Sequence, residues 1–340
     1  MFGDSLERSG GLDVYRRTIG LLLCAVGCML YAGSGCAYTP SRVTSSGPPP
    51  LPADLAAYYD YPSTPTDVTI EFVKAHRHWS EFLVRFPLST PGFEPTEPTV
   101  ELEWFESSEP GQRPAVIFNP ILGGDYPLER GICRFLARNG FHVALVRRKT
   151  IKLSPEHQVK DLELRLRQAI IRIRQAVDWM ASHERVDPQR MGSFGISMGG
   201  MASVMAVAVE PRLRAHVIAL AGGGIPDILM TSRDQLLTKP RRRFLEYHQM
   251  DLDTFHRQLQ EHVKTDPLRL APYADSRRML LFIALLDRTV GTQNALRLRR
   301  ALGYPNTEFL VAGHYTAYLF LPYLKYAATR FLTRELAPSH

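Results

Sequence analysis

The feature that most restricts the fold is a serine between glycines, at the point where a predicted strand turns into a predicted helix. Residues 190–196 form a strand pattern that runs into Ser197, and residues 198–209 are almost entirely apolar. A helix without a polar face must be buried on all sides. The stretch Gly195-Ile196-Ser197-Met198-Gly199 matches the G-x-S-x-G turn, whose glycines avoid collisions with neighbouring backbone. The pattern predicts a buried strand–turn–helix that presents the Ser197 hydroxyl at the end of a sheet.

Strands and helices alternate through the rest of residues 67–340. Apolar runs predict strands at 115–118, 142–146, 217–220, 279–286 and 307–311, after a leading antiparallel pair at 82–86 and 100–105. Helices are predicted at 128–138, 155–182 and 317–332, and Val186-Asp187-Pro188 is predicted to break the chain. This alternation is typical of an α/β domain with a mostly parallel sheet and helices on both faces. Residues 225–275 are charged, helix-prone and without a strand pattern, which predicts a helical lid insertion.

A nucleophilic serine needs a base, and the base needs an acid that orients it. His314 follows the last predicted strand, and Asp287 ends the apolar run before it. Ligand chemistry in open α/β sheets occurs at the carboxyl ends of the strands. Ser197, Asp287 and His314 are therefore the predicted catalytic residues. Asp227, which follows an earlier strand, is the alternative acid.

Such a site also needs two backbone N–H groups that stabilise an oxyanion. The residue after the nucleophile, Met198, supplies the first in our prediction. The second is predicted in the loop 119–124, at Ile121 or, as the fallback, at Leu122. Side chains do not take part in this role, so the sequence leaves the choice open.

The start of the chain resembles a bacterial lipoprotein signal. Residues 19–32 are an apolar run after two arginines, which is too short for a comfortable membrane span. Small residues lead to Cys36, the preferred lipidation site, with Cys28 as the second candidate. Residues 1–36 are thus a predicted signal peptide, and the Pro/Ser-rich residues 37–66 a predicted linker that packs no core. We expect an exported, cell-envelope protein with a lipid tether; a cleaved signal or an uncleaved anchor are the alternatives.

Composition narrows the function classes further. The net charge of +7 is mild and scattered, which argues against nucleic-acid binding. Three of the four cysteines precede residue 37, so the folded body can have no internal disulfide framework, and Cys133 is predicted to be a buried thiol. His76 and His78 have a His-x-His spacing, but the nearest acidic residues, Glu71 and Glu81, are interpreted as ordinary strand or loop residues rather than metal ligands. No metal and no organic cofactor are predicted.

Together, residues 115–332 resemble the α/β-hydrolase superfamily, and the stretch 186–192 is similar to the dienelactone hydrolase and acyl-peptidase branches. Ser197 stands where dienelactone hydrolases have cysteine, and Asn119-Pro120 stands where many esterases have His-Gly. The resemblance implies a serine esterase that hydrolyses a small-molecule acyl ester through an acyl-enzyme on Ser197. The alternatives are a peptidase or an acyltransferase with the same triad, or a non-catalytic envelope lipoprotein that binds a partner.

Overall fold

The computed structural model describes residues 36–43, 46–61, 65–122, 125–149, 151 and 153–338. The residues from Tyr38 onward form one compact unit, which contains the fold described below. The predicted signal peptide up to residue 35, with Cys28, lies outside the described residues. Cys36 opens the first strand.

One sheet dominates the structure, with helices between and beside its strands. The described strands are β1 (Cys36–Thr39), β2 (Thr69–Ala75), β3 (Trp79–Pro87), β4 (Thr99–Ser107), β5 (Arg113–Asn119), β6 (His142–Arg147), β7 (Val186–Ile196), β8 (Leu213–Ala219), β9 (Met279–Ala284) and β10 (Asn306–Leu310). The described α-helices are α1 (Ala53–Tyr58), α2 (Pro127–Arg138), α3 (Val159–Ser182), α4 (Met198–Val209), α5 (Ile225–Thr231), α6 (Gln235–His248), α7 (Leu252–His262), α8 (Pro267–Leu270), α9 (Thr292–Ala301) and α10 (Leu321–Glu335). Two 3₁₀-helices cover Ala271–Tyr273 and Thr316–Phe320.

The strand order is β1-β10-β9-β8-β7-β5-β6-β4-β3-β2. Strands β5 to β10 pair in parallel, whereas β2, β3, β4 and β6 pair antiparallel as a leading meander. Because the parallel strands point the same way, the loops after β5, β7, β9 and β10 meet at one edge of the sheet. This edge holds Ser197, Asp287, His314 and the loop that begins after Asn119.

Helices cover both faces of the sheet, as predicted. Helices α2 and α10 contact each other on one face, and α3 and α4 contact each other on the other. In α4 every residue after Met198 is buried, which agrees with its lack of a polar face. No helix among the described residues is long and apolar enough to cross a membrane.

Of the element boundaries that differ from the sequence prediction, two have a clear local cause. Helix α3 begins at Val159 rather than Pro155, because the Asp161 carboxylate accepts the Gln158 N–H at 2.8 Å and fixes the first turn there. The stretch 186–190 does not break the chain but belongs to β7. The strand bulges there, since Arg113 of β5 pairs with Val186 while Ala115 pairs with Met191.

The predicted linker 37–66 differs from the structure, because parts of it are folded onto the body. Residues 53–58 form α1, and the following Tyr59 is completely buried in the core. The Tyr58 hydroxyl donates to Glu163 at 2.7 Å and the Tyr61 hydroxyl donates to Asp178 at 2.6 Å. These tyrosines anchor the segment to α3, so residues 53–61 are part of the folded body. Nearer the start of the region, Tyr38 and Thr39 belong to β1, and the Arg42 N–H donates to the Tyr304 carbonyl at 2.9 Å, so this part also contacts the body.

Candidate active site

Ser197 occupies a strained turn between β7 and α4. Its backbone has φ 55° and ψ −119°, a conformation that residues other than glycine rarely adopt. Glycines make the turn possible, because a Cβ on Gly195 would lie 2.2 Å from the Gly199 carbonyl oxygen. A Cβ on Gly199 would lie 2.0 Å from the Asn119 carbonyl oxygen. The turn therefore packs directly against the end of β5 and raises the serine hydroxyl above the sheet.

Asp287 lies just past the end of β9 and is 8% exposed. Its Oδ1 accepts the backbone N–H groups of Thr289 at 2.8 Å and Val290 at 3.0 Å. Burial raises the pKa of the carboxyl, but its hydrogen bonds with His314 and the backbone outweigh that effect, so the pKa lies below its ordinary value. The side chain is held as an anion with Oδ2 directed at the next loop.

His314 lies after β10 and joins the other two residues. Its Nδ1 is 2.7 Å from Asp287 Oδ2, and its Nε2 is 2.9 Å from Ser197 Oγ. A carboxylate can only accept, so Nδ1 carries the proton and Nε2 offers its lone pair to the serine hydroxyl. The structure thus brings Ser197, Asp287 and His314 into one hydrogen-bonded chain.

The alternative acid, Asp227, does not join this chain. It lies in the first turn of α5, where Oδ1 is 3.0 Å from His256 Nε2 and Oδ2 accepts from Arg297 Nη1 at 2.5 Å. Both oxygens are therefore occupied by helices α7 and α9. Asp227 has a structural position that ties the helical insertion to the body.

The two predicted oxyanion donors have different surroundings. Met198 is the first residue of α4, so its N–H has no acceptor within the helix and lies at the positive end of the helix dipole. The Ile121 N–H, in contrast, already donates to Glu129 Oε1 at 3.2 Å. The choice of Ile121 is therefore at odds with the geometry. Its fallback, Leu122, lines the same cavity as Ser197.

Comparison with known proteins extends this picture. Residues 172–314 match the model of the prolyl oligopeptidase family (Peptidase_S9), a range that begins in α3 and ends at His314. No curated protein is similar enough to count as a match.

Several solved structures share the fold. Acetyl xylan esterase 1 from Thermoanaerobacterium sp. JW/SL YS485 aligns with a TM-score of 0.62 and 17% identity, over 86% of this chain and 96% of that one. Acetyl xylan esterase from Paenibacillus sp. R4 aligns with a TM-score of 0.58 and 16% identity, over 84% and 100% of the two chains. Acylaminoacyl peptidase from Pyrococcus horikoshii aligns with a TM-score of 0.56 and 13% identity, over 78% of this chain and 43% of that chain.

The family match ends on the histidine that contacts the serine. This chain is a serine hydrolase with the α/β-hydrolase fold. The fold and the enzyme class predicted from the sequence are confirmed. The comparisons support a serine hydrolase of the esterase or peptidase type. The match to the peptidase family includes β7 to β10, the strands whose ends lead to Ser197, Asp287 and His314.

An apolar cavity of about 270 Å³ opens beside Ser197 in the hydrolase. Its polar lining residues are Ser197, Asp234, Thr289, His314, Tyr315 and Tyr318, and the rest are aliphatic. No lysine or arginine lines it among the described residues. Asp234 is already engaged, since it accepts the hydroxyls of Thr289 and Tyr315. The cavity therefore suits an uncharged, aliphatic group.

A buried glutamate and a half-buried arginine below the loop 119–122 were not predicted from the sequence. Glu129 is completely buried, and burial raises its pKa above the ordinary value. Arg148 donates through Nη2 to the carbonyls of Pro120 at 3.0 Å and Ile121 at 3.1 Å. Together they hold the loop from below. Glu129 falls on the buried stripe of α2, so a charge among apolar positions was the signal that could have revealed it.

Other titratable clusters have structural roles in the described part of the hydrolase. His76 stacks on Trp79 and lies 3.1 Å from Glu81. Among the described residues, no group of three histidine, cysteine or acidic side chains is placed to hold a metal ion. Cys133 is buried in α2, as predicted.

Proposed function

We propose that the hydrolase cleaves carboxylic esters through an acyl-enzyme on Ser197, with Asp287 and His314 as its partners. The observation that carries this proposal is the hydrogen-bonded chain from Asp287 through His314 to Ser197, beside an apolar cavity. A catalytic serine needs a base such as His314 and an acid such as Asp287 that orients the base. The cavity would hold the acyl chain, while the alcohol part would lie toward solvent.

The reaction follows from the positions of these atoms. Ser197 Oγ attacks the ester carbonyl carbon while His314 Nε2 takes the hydroxyl proton. The bond between the acyl carbon and the alcohol oxygen then breaks, and the alcohol leaves with that proton. In the second half, His314 Nε2 takes a proton from water while the water oxygen adds to the acyl carbon. The bond between the acyl carbon and Ser197 Oγ then breaks, and Ser197 Oγ receives that proton from His314. Asp287 stabilises the imidazolium in both halves.

The negative oxygen that forms on the acyl carbon needs two donors. For the first donor we propose the Met198 N–H, because Met198 is the first residue of α4 and its N–H has no acceptor within the helix. For the second donor we favour the Leu122 N–H, because the Ile121 N–H is bonded to Glu129. The alternative, Ile121, would require that bond to break when substrate binds.

We infer that the helical insertion acts as the lid of the cavity and determines acyl length. Ile225, Ile228 and Leu229 of α5 line the cavity, as do Leu236 and Leu237 of α6. A cavity of about 270 Å³ holds about nine groups of about 30 Å³ each, the share of one water molecule in the liquid. We therefore expect an optimum at medium-length aliphatic acyl chains.

A peptidase remains the second candidate, because the matching family model is one of peptidases. The apolar lining disfavours it, since peptide groups lose free energy when they are buried without hydrogen-bond partners. The same pocket and triad would serve an acyltransferase whose acceptor is another alcohol. These functions differ in the leaving group or acceptor, which an assay can vary.

The experiment compares p-nitrophenyl esters of increasing acyl length with p-nitroanilides of the same acyl groups. We expect ester turnover that peaks at medium length and is lost in Ser197→Ala, together with fluorophosphonate labelling of Ser197 in the parent only. Asp287→Asn should lower kcat by about 10⁴, as in other triads. Asp227→Asn is the matched control and should retain activity.

The outcomes separate the candidate functions. Faster cleavage of anilides than of esters would replace the esterase by a peptidase. Acyl transfer to an added alcohol in preference to water would indicate a transferase. Absence of both turnover and labelling would contradict the catalytic proposal and favour a binding lipoprotein.

We also propose that the protein is exported and anchored through a lipid on Cys36. The support is the apolar run at 19–32 and the small residues before Cys36. Mass spectrometry of the purified full chain should find the lipid on Cys36. Cys36→Ala should move the protein from the membrane to the soluble fraction while Cys28→Ala does not; the reverse pattern would assign the lipid to Cys28.

A further inference from the structure

Seven exposed apolar side chains surround the mouth of the cavity, and we call them the mouth patch. The mouth patch consists of Leu236, Leu285, Leu286, Val311, Tyr315, Tyr318 and Leu319. Leu286 is 62% exposed, Val311 57% and Tyr318 64%. Soluble proteins rarely expose so many large apolar groups in one place unless the surface binds something.

Hydrogen bonds bring together the four segments that carry these side chains. The N–H of Leu285 donates to Leu310, and the N–H of Leu286 donates to Ala312, both at 2.9 Å, which joins the ends of β9 and β10. The Tyr315 hydroxyl donates to Asp234, two residues before Leu236. Three members, Leu236, Tyr315 and Tyr318, line the cavity as well. The patch and the cavity are therefore continuous.

The exposed charged side chains in the segments that carry the mouth patch are basic. Arg233, Lys239 and Arg288 are exposed, and the Arg233 N–H donates to the Arg288 carbonyl at 3.1 Å. None of the three forms an ion pair with a described residue. The only acidic residues in segments 233–241, 285–291 and 311–326 are Asp234, which is hydrogen-bonded, and Asp287, which is buried.

We propose that the mouth patch docks on an anionic lipid surface, from which the ester substrate enters the cavity. Aliphatic side chains can insert among acyl chains, tyrosines favour the interface, and each basic residue near an anionic surface contributes about 1 kcal/mol. The absence of exposed acids from these segments favours a uniformly negative surface over a protein with mixed charges. The docking does not depend on catalysis, whereas delivery of a lipid-borne ester rests on the proposed esterase function.

Vesicle flotation tests the docking with the full chain carrying Cys28→Ser and Cys36→Ser, so that no lipid tether contributes. We expect binding to vesicles of phosphatidylglycerol and phosphatidylcholine in equal parts, and weaker binding to phosphatidylcholine alone. The double variant Val311→Ser/Leu319→Ser, outside the cavity lining, should weaken binding by about tenfold. It should leave turnover of a soluble short-chain ester unchanged.

Matched controls place the effect at the mouth. Ile70→Ser/Phe72→Ser removes two exposed apolar side chains from β2, which is the last strand in the sheet order and is far from β9 and β10. This variant should bind like the parent. Arg233→Glu/Arg288→Glu should lose at least about tenfold in affinity for anionic vesicles. A pair with the same charge change elsewhere, Arg77→Glu/Arg257→Glu, should lose much less.

The results distinguish failure of the docking from failure of the enzyme proposal. Ser197→Ala should bind vesicles like the parent even though it hydrolyses nothing. Equal loss of binding in the mouth variants and their controls would overturn the proposal. Absence of binding to both kinds of vesicle would overturn it as well. Binding without hydrolysis by the parent would keep the docking surface and reject the esterase.

Discussion

Replacement of Gly199 by alanine tests how closely the serine turn and the oxyanion loop depend on each other. The new Cβ would lie 2.0 Å from the Asn119 carbonyl oxygen and 2.5 Å from that of Pro120. Real Cβ contacts stay beyond 3.0 Å, and backbone atoms cannot rotate away, so the end of β5 must move by at least about 1 Å. The loop that carries Leu122 follows directly, so its N–H moves away from the acyl oxygen.

The size of the effect follows from that displacement. Loss of one oxyanion donor costs about 10² to 10³ in kcat, and a misplacement of about 1 Å costs about 10². We therefore expect kcat/KM for the preferred p-nitrophenyl ester to fall by about 10² to 10³ in Gly199→Ala. Overpacking should also cost about 1–3 kcal/mol in the free energy of unfolding, measured by urea denaturation.

Gly131→Ala is the matched control. Gly131 lies inside α2, two residues after Glu129, and a Cβ there would meet nothing within 4 Å. It should keep full activity and gain up to about 1 kcal/mol in stability, because alanine favours helix over glycine. A folded Gly199→Ala protein with the parental kcat would refute the reasoning, since the loop would then not hold a donor whose position matters.

Three further predictions concern buried polar groups and the cavity. Burial lowers the pKa of His142 and of His216 to about 4, so the unfolded chain binds more protons between pH 6.5 and 4. The free energy of unfolding, measured by urea denaturation, should therefore decrease as the pH is lowered through that window, by up to about 3 kcal/mol per group. His216→Leu should make this pH dependence shallower, and an unchanged slope would contradict the prediction. Glu129→Gln should keep kcat because its amide oxygen can still accept the Ile121 N–H, whereas Glu129→Leu should lower kcat by about tenfold, and equal rates would remove the loop-holding role. Leu229→Ala should move the acyl optimum to longer chains by about two or three methylenes at a cost of about 2 kcal/mol in stability, and an unmoved optimum in the ester series would exclude α5 from the acyl site.

The sequence was sufficient wherever the signal is local. The strand into Ser197, the glycines around it and the apolar helix after it fix a turn through contacts within a few residues, and sterics leave few alternatives. The alternation of strands and helices predicted the parallel sheet for the same reason. The chain order serine, acid, histidine that is expected for this fold, together with positions at the carboxyl ends of strands, then made Ser197, Asp287 and His314 the candidates and left Asp227 as the alternative acid.

Tertiary structure alone decided the choices that depend on distant segments. Asp227 and Asp287 both follow strands, and only the packing of α7 and α9 shows that Asp227 is occupied by His256 and Arg297. Tyr58, the neighbour of the buried Tyr59, donates to Glu163 of α3, which lies 105 residues later in the chain. No periodicity within a segment encodes such partners.

The surroundings of the site also required the fold. The Ile121 N–H is bonded to Glu129 because α2 is packed beneath the loop, a fact that the sequence of neither segment contains. The mouth patch assembles from four segments, each of which has only one to three exposed apolar residues. The sequence by itself determined the nucleophile turn and the fold, because sterics and apolar periodicity act locally. The choice of Asp287 over Asp227, the bond that occupies the Ile121 N–H and the surface around the cavity were decided by three-dimensional packing, because they arise where separate segments meet.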